Sequence, residues 1–256
     1  MSGGNAPGPA AHVGEQGKQK TYHKKATGQA LQTVKRHSKE NELKLFGSCF
    51  CPFVQRVWIA LELKGLDYQY IEVDPYAKLK LLTDINPRGL VPALKHGDWG
   101  CYESNVLLEY LDDLDIGMRL LPSHPRDRAM SRLWVDHVNR NIVPGFYRFL
   151  QEQNPAKQIE YAEELKEQGH IMSYVDISVA PWLLRFSRVL HPYRGWPLPD
   201  KNSKLGKWIE ALESHDAIKN TTSDNILYLD SYERYAENRL NTSQVANAVN
   251  AGRGLP

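Results

Sequence analysis

No stretch of this 256-residue sequence approaches the roughly 20 consecutive apolar residues that a membrane-spanning helix needs. The opening residues, MSGGNAPGPAAHVGEQGKQK, also lack the apolar centre of a secretory signal. Cysteine is scarce: three residues, an odd number, argue against a secreted scaffold of paired disulfides and point to a reducing compartment. The expectation is a cytoplasmic protein with no membrane partner. An excess of one charge is lacking too, since 32 Lys and Arg face 30 Asp and Glu. The small surplus is local: residues 1–40 hold seven Lys or Arg against two Glu, and the rest is net negative. No basic and aromatic pattern accompanies it, so no nucleic-acid partner is expected. Rich in Gly, Ala, Pro and Gln, residues 1–40 read as a basic, mostly disordered extension with a short helix around Gln29 to Arg36.

What is present, 41% hydrophobic residues, suffices for a substantial core. LKLF (Leu43 to Phe46) alternates as a strand does, and Val54, Val57, Trp58 and Leu61 then recur at helical spacing. Lys64-Gly65 ends that helix, and YQYIEV (Tyr68 to Val73) reads as a second strand. LVPAL, the turn HGDWG and CYE suggest a hairpin, after which Ser104 opens a helix bearing Leu107, Tyr110, Leu111 and Leu114. The pattern predicts β-α-β followed by β-β-α over 41–116, a Pro- and Gly-interrupted linker over 117–125, and an all-helical part over 126–256.

GSCFCPFVQR, Gly47 to Arg56, sets two cysteines two apart. That spacing strains a direct disulfide, and zinc would find only Cys101 as a third sulfur with no paired histidines, so no metal is expected. Cys51 falls at the first helical turn, where unpaired N–H groups and the helix dipole favour a thiolate. Such placement lowers a cysteine pKa from about 8.5 to between roughly 3.5 and 7.5. Pro52 suits the first helical position because no N–H is needed there. Taken singly, Cys51 also fits a small buried hydrophobe. Cys49 either packs as an ordinary thiol or resolves a mixed disulfide. Pro92 is a candidate for a cis bond after Val91, the alternative being a trans proline at a strand edge. Glu103-Ser104 meets a helix start whose free N–H groups suit a carboxylate, or is a plain cap.

A cysteine at the first strand-to-helix junction and a Val-Pro before the third strand resemble a thioredoxin-like domain. CPFVQR, NPRGLVPAL (Asn86 to Leu94) and YES (Tyr102 to Ser104) narrow this to a resemblance to the glutathione transferases, particularly the cysteine-containing omega class and its fungal relatives. LYLDSYERYAEN and NTSQVANAVNAGRGLP look like the C-terminal segments of fungal members. The resemblance implies the glutathione transferase fold, an α/β thioredoxin-like N-terminal domain followed by an all-α C-terminal domain, assembled as a two-fold homodimer. It implies glutathione as co-substrate and Cys51 as the catalytic residue. Phe53, Lys78, Val91, Glu103 and Ser104 would then bind glutathione. Val91 would meet its cysteinyl part through the backbone, Ser104 its γ-glutamyl carboxylate, Glu103 its ammonium and Lys78 its glycyl carboxylate. Val54 stands where similar glutaredoxins carry a second cysteine, so a dithiol cycle within the motif is excluded.

In the helical part, Trp134, Phe146, Tyr147, Trp182 and Arg185 are candidates to line an acceptor cavity, and each aromatic equally fits a core role. SYVD, Ser173 to Asp176, reads as a capping box with Asp in place of Glu or Gln. Before it the chain runs EYAEELKEQGHIM, where similar transferases carry a longer aromatic segment. The reaction implied is thiol transfer through a mixed disulfide between glutathione and Cys51, extending to deglutathionylation of conjugates and dehydroascorbate reduction. The alternative is a binding protein that holds apolar aromatic molecules without turnover. A regulatory protein with a retired site fits less well, since such a site has no need of a thiol at a helix start.

Overall fold

A computed structural model describes residues 22–77, 79–155, 157–158 and 174–256. Its four strands are β1 (Leu43–Gly47), β2 (Gln69–Glu72), β3 (Ala93–His96) and β4 (Trp99–Tyr102), in the sheet order β2-β1-β3-β4. β1 and β2 run parallel with Leu45 opposite Tyr70, whereas β1 and β3 are antiparallel with Leu45 opposite Leu94. A parallel pair needs a crossover, and α2 (Pro52–Lys64) provides it. Pro52 at its first turn and Gly65 beyond its end, at φ 61°, bound this helix. Periodicity alone predicts one apolar face for α2, but Gln55, Arg56, Ile59 and Ala60 are buried as well as Val54, Val57, Trp58 and Leu61. The sheet covers one side of α2 and the helical half covers the other.

The connection from β2 to β3 carries a helix the pattern did not announce, α3 (Lys80–Ile85). Its anchor is Leu82, buried against Phe46, Val73 and Ala93. The third strand begins at Ala93 rather than Leu90, because Pro92 has no N–H for the ladder. Glu103, at φ 76° and ψ 113°, then turns the chain from β4 into α4 (Ser104–Asp113).

Residues 22–40 correct the expectation of an extension mostly disordered up to residue 40, while the short helix expected around Gln29 to Arg36 is present. They include α1 (Gly28–Arg36), on which small Ala30 and Thr33 are fully covered. Small side chains let the helix sit close, and polar contacts lock its end. The His37 carbonyl accepts from the Tyr70 N–H at 2.8 Å, and the His37 ring stacks on Tyr68 at 3.8 Å. Glu62 joins the group, accepting from Tyr68 Oη at 2.8 Å and lying 3.1 Å from His37 Nε2. Burial pushes the Glu62 carboxyl up, but the hydrogen bonds from His37 and Tyr68 and the His37 and Arg36 charges outweigh it and hold the group below the usual range. A carboxyl depressed in the folded state adds stability above its unfolded pKa, and that stability is lost as pH falls through the folded pKa. The melting-temperature gap between wild type and Glu62→Gln is therefore expected to stay constant at neutral pH and to shrink below about pH 4.5. A gap independent of pH would show that the Glu62 charge contributes nothing.

Past the linker, α5 (Pro125–His137) passes through one π-helical stretch, Val138–Ile142, into α6 (Val143–Gln151). A second such stretch, Phe186–Leu190, joins α7 (Tyr174–Arg185) to α8 (His191–Arg194). A proline follows each stretch within two residues, Pro144 and Pro192, and its missing N–H accounts for the widened turn. The remaining helices are α9 (Lys204–Ser214), α10 (Asp216–Lys219), α11 (Asn225–Ala236) and α12 (Gln244–Asn250). Ser173 and the stretch before it lie outside the described residues. Asp176, the other half of the expected capping box, is buried and accepts from Trp208 Nε1 at 2.8 Å. No helix among the described residues is long and apolar enough to cross a membrane.

Candidate functional site

A cleft of about 560 Å³ opens between the sheet half and the helical half, and Cys51 lines it. The turn that presents Cys51 is closed by its N–H bonding the Ser48 carbonyl at 3.1 Å, after which Cys51 serves as N-cap of α2 at φ −74° and ψ 120°. Its half-buried sulfur lies 3.8 Å from the Val91 carbonyl. The Val91–Pro92 bond is cis. Phe53, Val91, Glu103 and Ser104 line the same cleft, whereas Lys78 lies outside the described residues. Ser104 corrects one detail. Glu103 occupies the N-cap and Ser104 is the first helical residue, so its hydroxyl accepts from the Arg56 guanidinium at 3.3 Å instead of capping. Glu103, half exposed, pairs with Arg88. Holding a non-glycine residue at φ 76° costs of order 1–3 kcal/mol, and it sets the Glu103 side chain at the mouth.

The expected lowering of the Cys51 pKa is also corrected. Burial among apolar walls pushes the thiol up, while the Val54 and Phe53 N–H groups and the Arg185 and Arg56 charges pull it down without reversing the shift. The helix start is present, but burial of the sulfur in the cleft wall removes water that would solvate a thiolate. Cys49 is buried and donates to the His23 carbonyl at 3.5 Å, and desolvation above all pushes its thiol up to about 12. All three cysteines are free, and no group of three or more metal-ligating residues occurs among the described residues.

Of the five acceptor-wall candidates, only Tyr147 lines the cleft. Phe146 and Trp182 are fully buried in the core, and Trp134 packs edge-on against His137. Trp182 sits behind the site, 4.4 Å below the Arg56 guanidinium and edge-on to Phe53. Arg185 is 1% exposed and lies behind the cavity wall, bonding the Phe50 carbonyl of the Cys51 turn and Tyr232 Oη. Helical spacing fixes which residues share a stripe but not which neighbour covers it.

The far wall is built instead by Asn139, Tyr232 and Tyr235, and by residues of the C-terminal segment including Asn241, Gln244 and Leu255. Tyr228, Tyr232 and Tyr235 form a stripe at spacings of four and three on α11, a signal readable in LYLDSYERY. Arg56 is the other residue missed. It is the lone basic residue between Pro52 and Leu63 in an otherwise largely apolar helix. Its guanidinium bonds the Ser178 carbonyl at 2.7 Å, Asn139 Oδ1 at 2.9 Å and Asn105 Oδ1 at 3.2 Å, and desolvation pulls its pKa down to about 9.

A sheet of this topology, a thiol at the first helix start, a cis-proline facing it and a helical second half define a thioredoxin-fold transferase with two structural halves. Comparison with known proteins gives the family. The glutathione S-transferase N-terminal domain profile matches residues 45–117. Glutathione S-transferase U1 of Arabidopsis thaliana is 32% identical over 200 residues, covering 71% of this chain and 88% of that protein. Among solved structures, glutathione transferase Omega 3C from Trametes versicolor superposes with a TM-score of 0.76 at 40% identity, over 83% of this chain and 98% of the other. Rice GST1 in complex with glutathione superposes with a TM-score of 0.66 at 27% identity, over 74% and 96%. The chain belongs to the glutathione transferase family and has its fold.

Proposed function

We propose that this glutathione transferase is a thiol transferase of the omega type, in which Cys51 attacks the glutathionyl sulfur of a mixed disulfide, expelling the partner as its thiolate, or that of a glutathione conjugate, whose C–S bond breaks with its electron pair leaving on carbon to be protonated. Cys51 then carries glutathione as a disulfide, and a second glutathione removes it, releasing glutathione disulfide and the free thiol. The observation that carries this reading is the Cys51 sulfur at the α2 N-cap, facing the Val91 carbonyl across the cleft at 3.8 Å. The similarity to an omega transferase supports it, and the rice relative solved with glutathione supports that tripeptide as co-substrate. Phe53, Val91, Glu103 and Ser104 hold glutathione in this reading, with Lys78 at its glycyl end. Acceptors include glutathionylated small molecules and dehydroascorbate, and the working unit is a homodimer. Incubation with glutathione disulfide is expected to add one glutathionyl group by intact mass, and Cys51→Ser to abolish the addition. Absence of an adduct on wild type defeats the reading.

A second reading, a binding protein without turnover, is favoured by the tyrosine- and amide-lined far wall and by the thiol pushed up through burial. Saturable binding of an aromatic dye with equal affinity in wild type and Cys51→Ser, with no adduct, selects it.

A further inference from the structure

Two guanidiniums are buried behind the Cys51 turn, and among the described residues neither has a carboxylate partner. Arg185, 1% exposed, donates from Nη2 to the Phe50 carbonyl at 2.9 Å, from Nη1 to Gln55 Oε1 at 2.8 Å and the Pro181 carbonyl at 2.5 Å, and from Nε to Tyr232 Oη at 2.7 Å. The ring faces of Tyr228 and Tyr232 lie 4.9 Å and 5.7 Å away. Arg56, equally buried, likewise hydrogen-bonds only carbonyl, amide and hydroxyl oxygens and has the Trp182 and Phe53 rings 4.4 Å and 5.6 Å away. Neutral acceptors satisfy the hydrogen bonds but leave the charge uncancelled. Burying such a charge is costly unless an anion answers it.

We propose that Arg185 is a positioning residue for the Cys51 thiolate: from the helical half it grips the carbonyl of the residue preceding the nucleophile, and its uncompensated charge awaits the Cys51 sulfur as counter-ion. This rests on the thiol-transfer reading above. The grip has a second strand, because Tyr232 Oη also lies 3.4 Å from the Phe50 carbonyl, and Gln55 Nε2 bonds the Thr221 carbonyl at 3.1 Å. The turn that aims the sulfur is thus held from the opposite half of the molecule.

The charge acts where electrons move. When glutathione thiolate attacks the glutathionyl sulfur of the mixed disulfide, the new S–S bond forms in glutathione disulfide. The old S–S bond breaks, and its electron pair departs on Cys51 as a thiolate. The attacking sulfur is oxidised and the Cys51 sulfur reduced, so the balance closes without a further reagent. A fixed cation hydrogen-bonded to the carbonyl one residue before the leaving sulfur lowers the energy of the state in which that sulfur is negative and does little for the neutral disulfide. Among the described residues, the titratable and charged groups around Cys51 are Arg56 on α2, Arg185 on α7, Tyr147 on α6, Tyr232 and Tyr235 on α11, Tyr70 on β2, Cys49 in the turn and Glu103 at the start of α4. Arg56 and Arg185 are the cations in this set.

The test uses the full chain with Cys49→Ala and Cys101→Ala, leaving Cys51 as its thiol. The rate of alkylation by iodoacetamide is followed against pH without glutathione. Arg185→Gln is expected to move the midpoint up by about one pH unit and to slow alkylation at pH 7 roughly tenfold. Arg185→Lys, which keeps the charge, is expected to stay within about threefold of the parent. A purely structural strut would fail in the reverse pattern, with the Lys variant as slow as the Gln variant at every pH and the midpoint unmoved. An unshifted midpoint in a folded Arg185→Gln overturns the proposal. If that variant does not fold, Gln55→Leu, Arg185→Met and Tyr232→Phe together replace the polar cluster with apolar groups of similar volume, and the same shift is required of it. Because alkylation needs no glutathione, an unmoved midpoint alongside a normal glutathionyl adduct defeats this proposal alone. A missing adduct defeats the thiol-transfer reading and leaves the alkylation result to stand by itself.

Discussion

Cys51→Ser is expected to lower thiol transfer by roughly three orders of magnitude or more and to reveal weak conjugation of glutathione to electrophiles. A serine hydroxyl cannot form the disulfide on which transfer depends, so that activity disappears with the sulfur. The same hydroxyl can donate a hydrogen bond to the sulfur of bound glutathione and hold it as a thiolate, whereas the wild-type cysteine takes the glutathionyl group from a disulfide substrate by exchange and holds it as a mixed disulfide. Cys51 occupies the N-cap of α2, with the Phe53 and Val54 N–H groups lowering the pKa of its thiol. Serine is a favoured N-cap residue, so the fold is expected to tolerate the change. Assays with a glutathionylated acceptor and with a chlorinated nitroaromatic electrophile, run on both proteins, check the exchange. Equal thiol transfer in the serine variant would falsify a covalent role for Cys51.

Gly117→Ala is expected to destabilise the protein by about 3 kcal/mol or more, lowering its melting temperature by roughly 6–12 °C. Gly117 adopts φ 69°, and a Cβ there would sit 2.1 Å from the Lys64 carbonyl oxygen. Neither atom is the free end of a side chain, so the linker backbone has to move. That movement disturbs a tied corner. The Lys64 ammonium, fully buried, bonds the Met118 carbonyl at 3.0 Å, and Asp112 accepts from the Leu120 and Leu121 N–H groups at 2.6 Å and 3.2 Å. Gly65→Ala is the matched control: φ is 61° there but a Cβ would meet nothing within 4 Å, so only the conformational cost of about 1–2 kcal/mol remains. Thermal unfolding of the two variants separates the clash from the dihedral. Equal losses would mean that the Lys64 contact relaxes freely.

The thiol itself is legible in the sequence because its signals are local. A proline directly after Cys51 marks a helix start, and Val91-Pro92 interrupts a strand where a backbone group is to face outward. The same locality explains the errors. The family resemblance makes Trp134, Phe146, Trp182 and Arg185 candidates for the cavity, yet a stripe of α7 carries no mark of which element will lie on it. α3 is hidden because a single buried leucine, Leu82, anchors it. Residues 22–40 look unable to pack, since Ala30 and Thr33 bury little area by themselves, but both are fully covered in a segment tied to β2 through His37 and to the helical half through Thr27.

The sequence by itself determined the βαβ-ββα order, the helix that presents Cys51, the strand break at Pro92 and the absence of a cysteine three residues after Cys51. Each follows from hydrogen-bonding capacity, backbone freedom or spacing within a few residues. Only the tertiary structure decided that Cys51 is desolvated enough for its pKa to rise, that Ser104 accepts from Arg56 rather than capping, and that Arg185 braces the turn from behind. It also assigned the far wall to Tyr232, Tyr235 and the C-terminal segment. The Ser104 contact lies within the sheet half, 48 residues apart in the chain, and the other outcomes depend on which surfaces of two halves, more than 100 residues apart, come together. Burial, and with it the strength of every charge, is a property of that meeting.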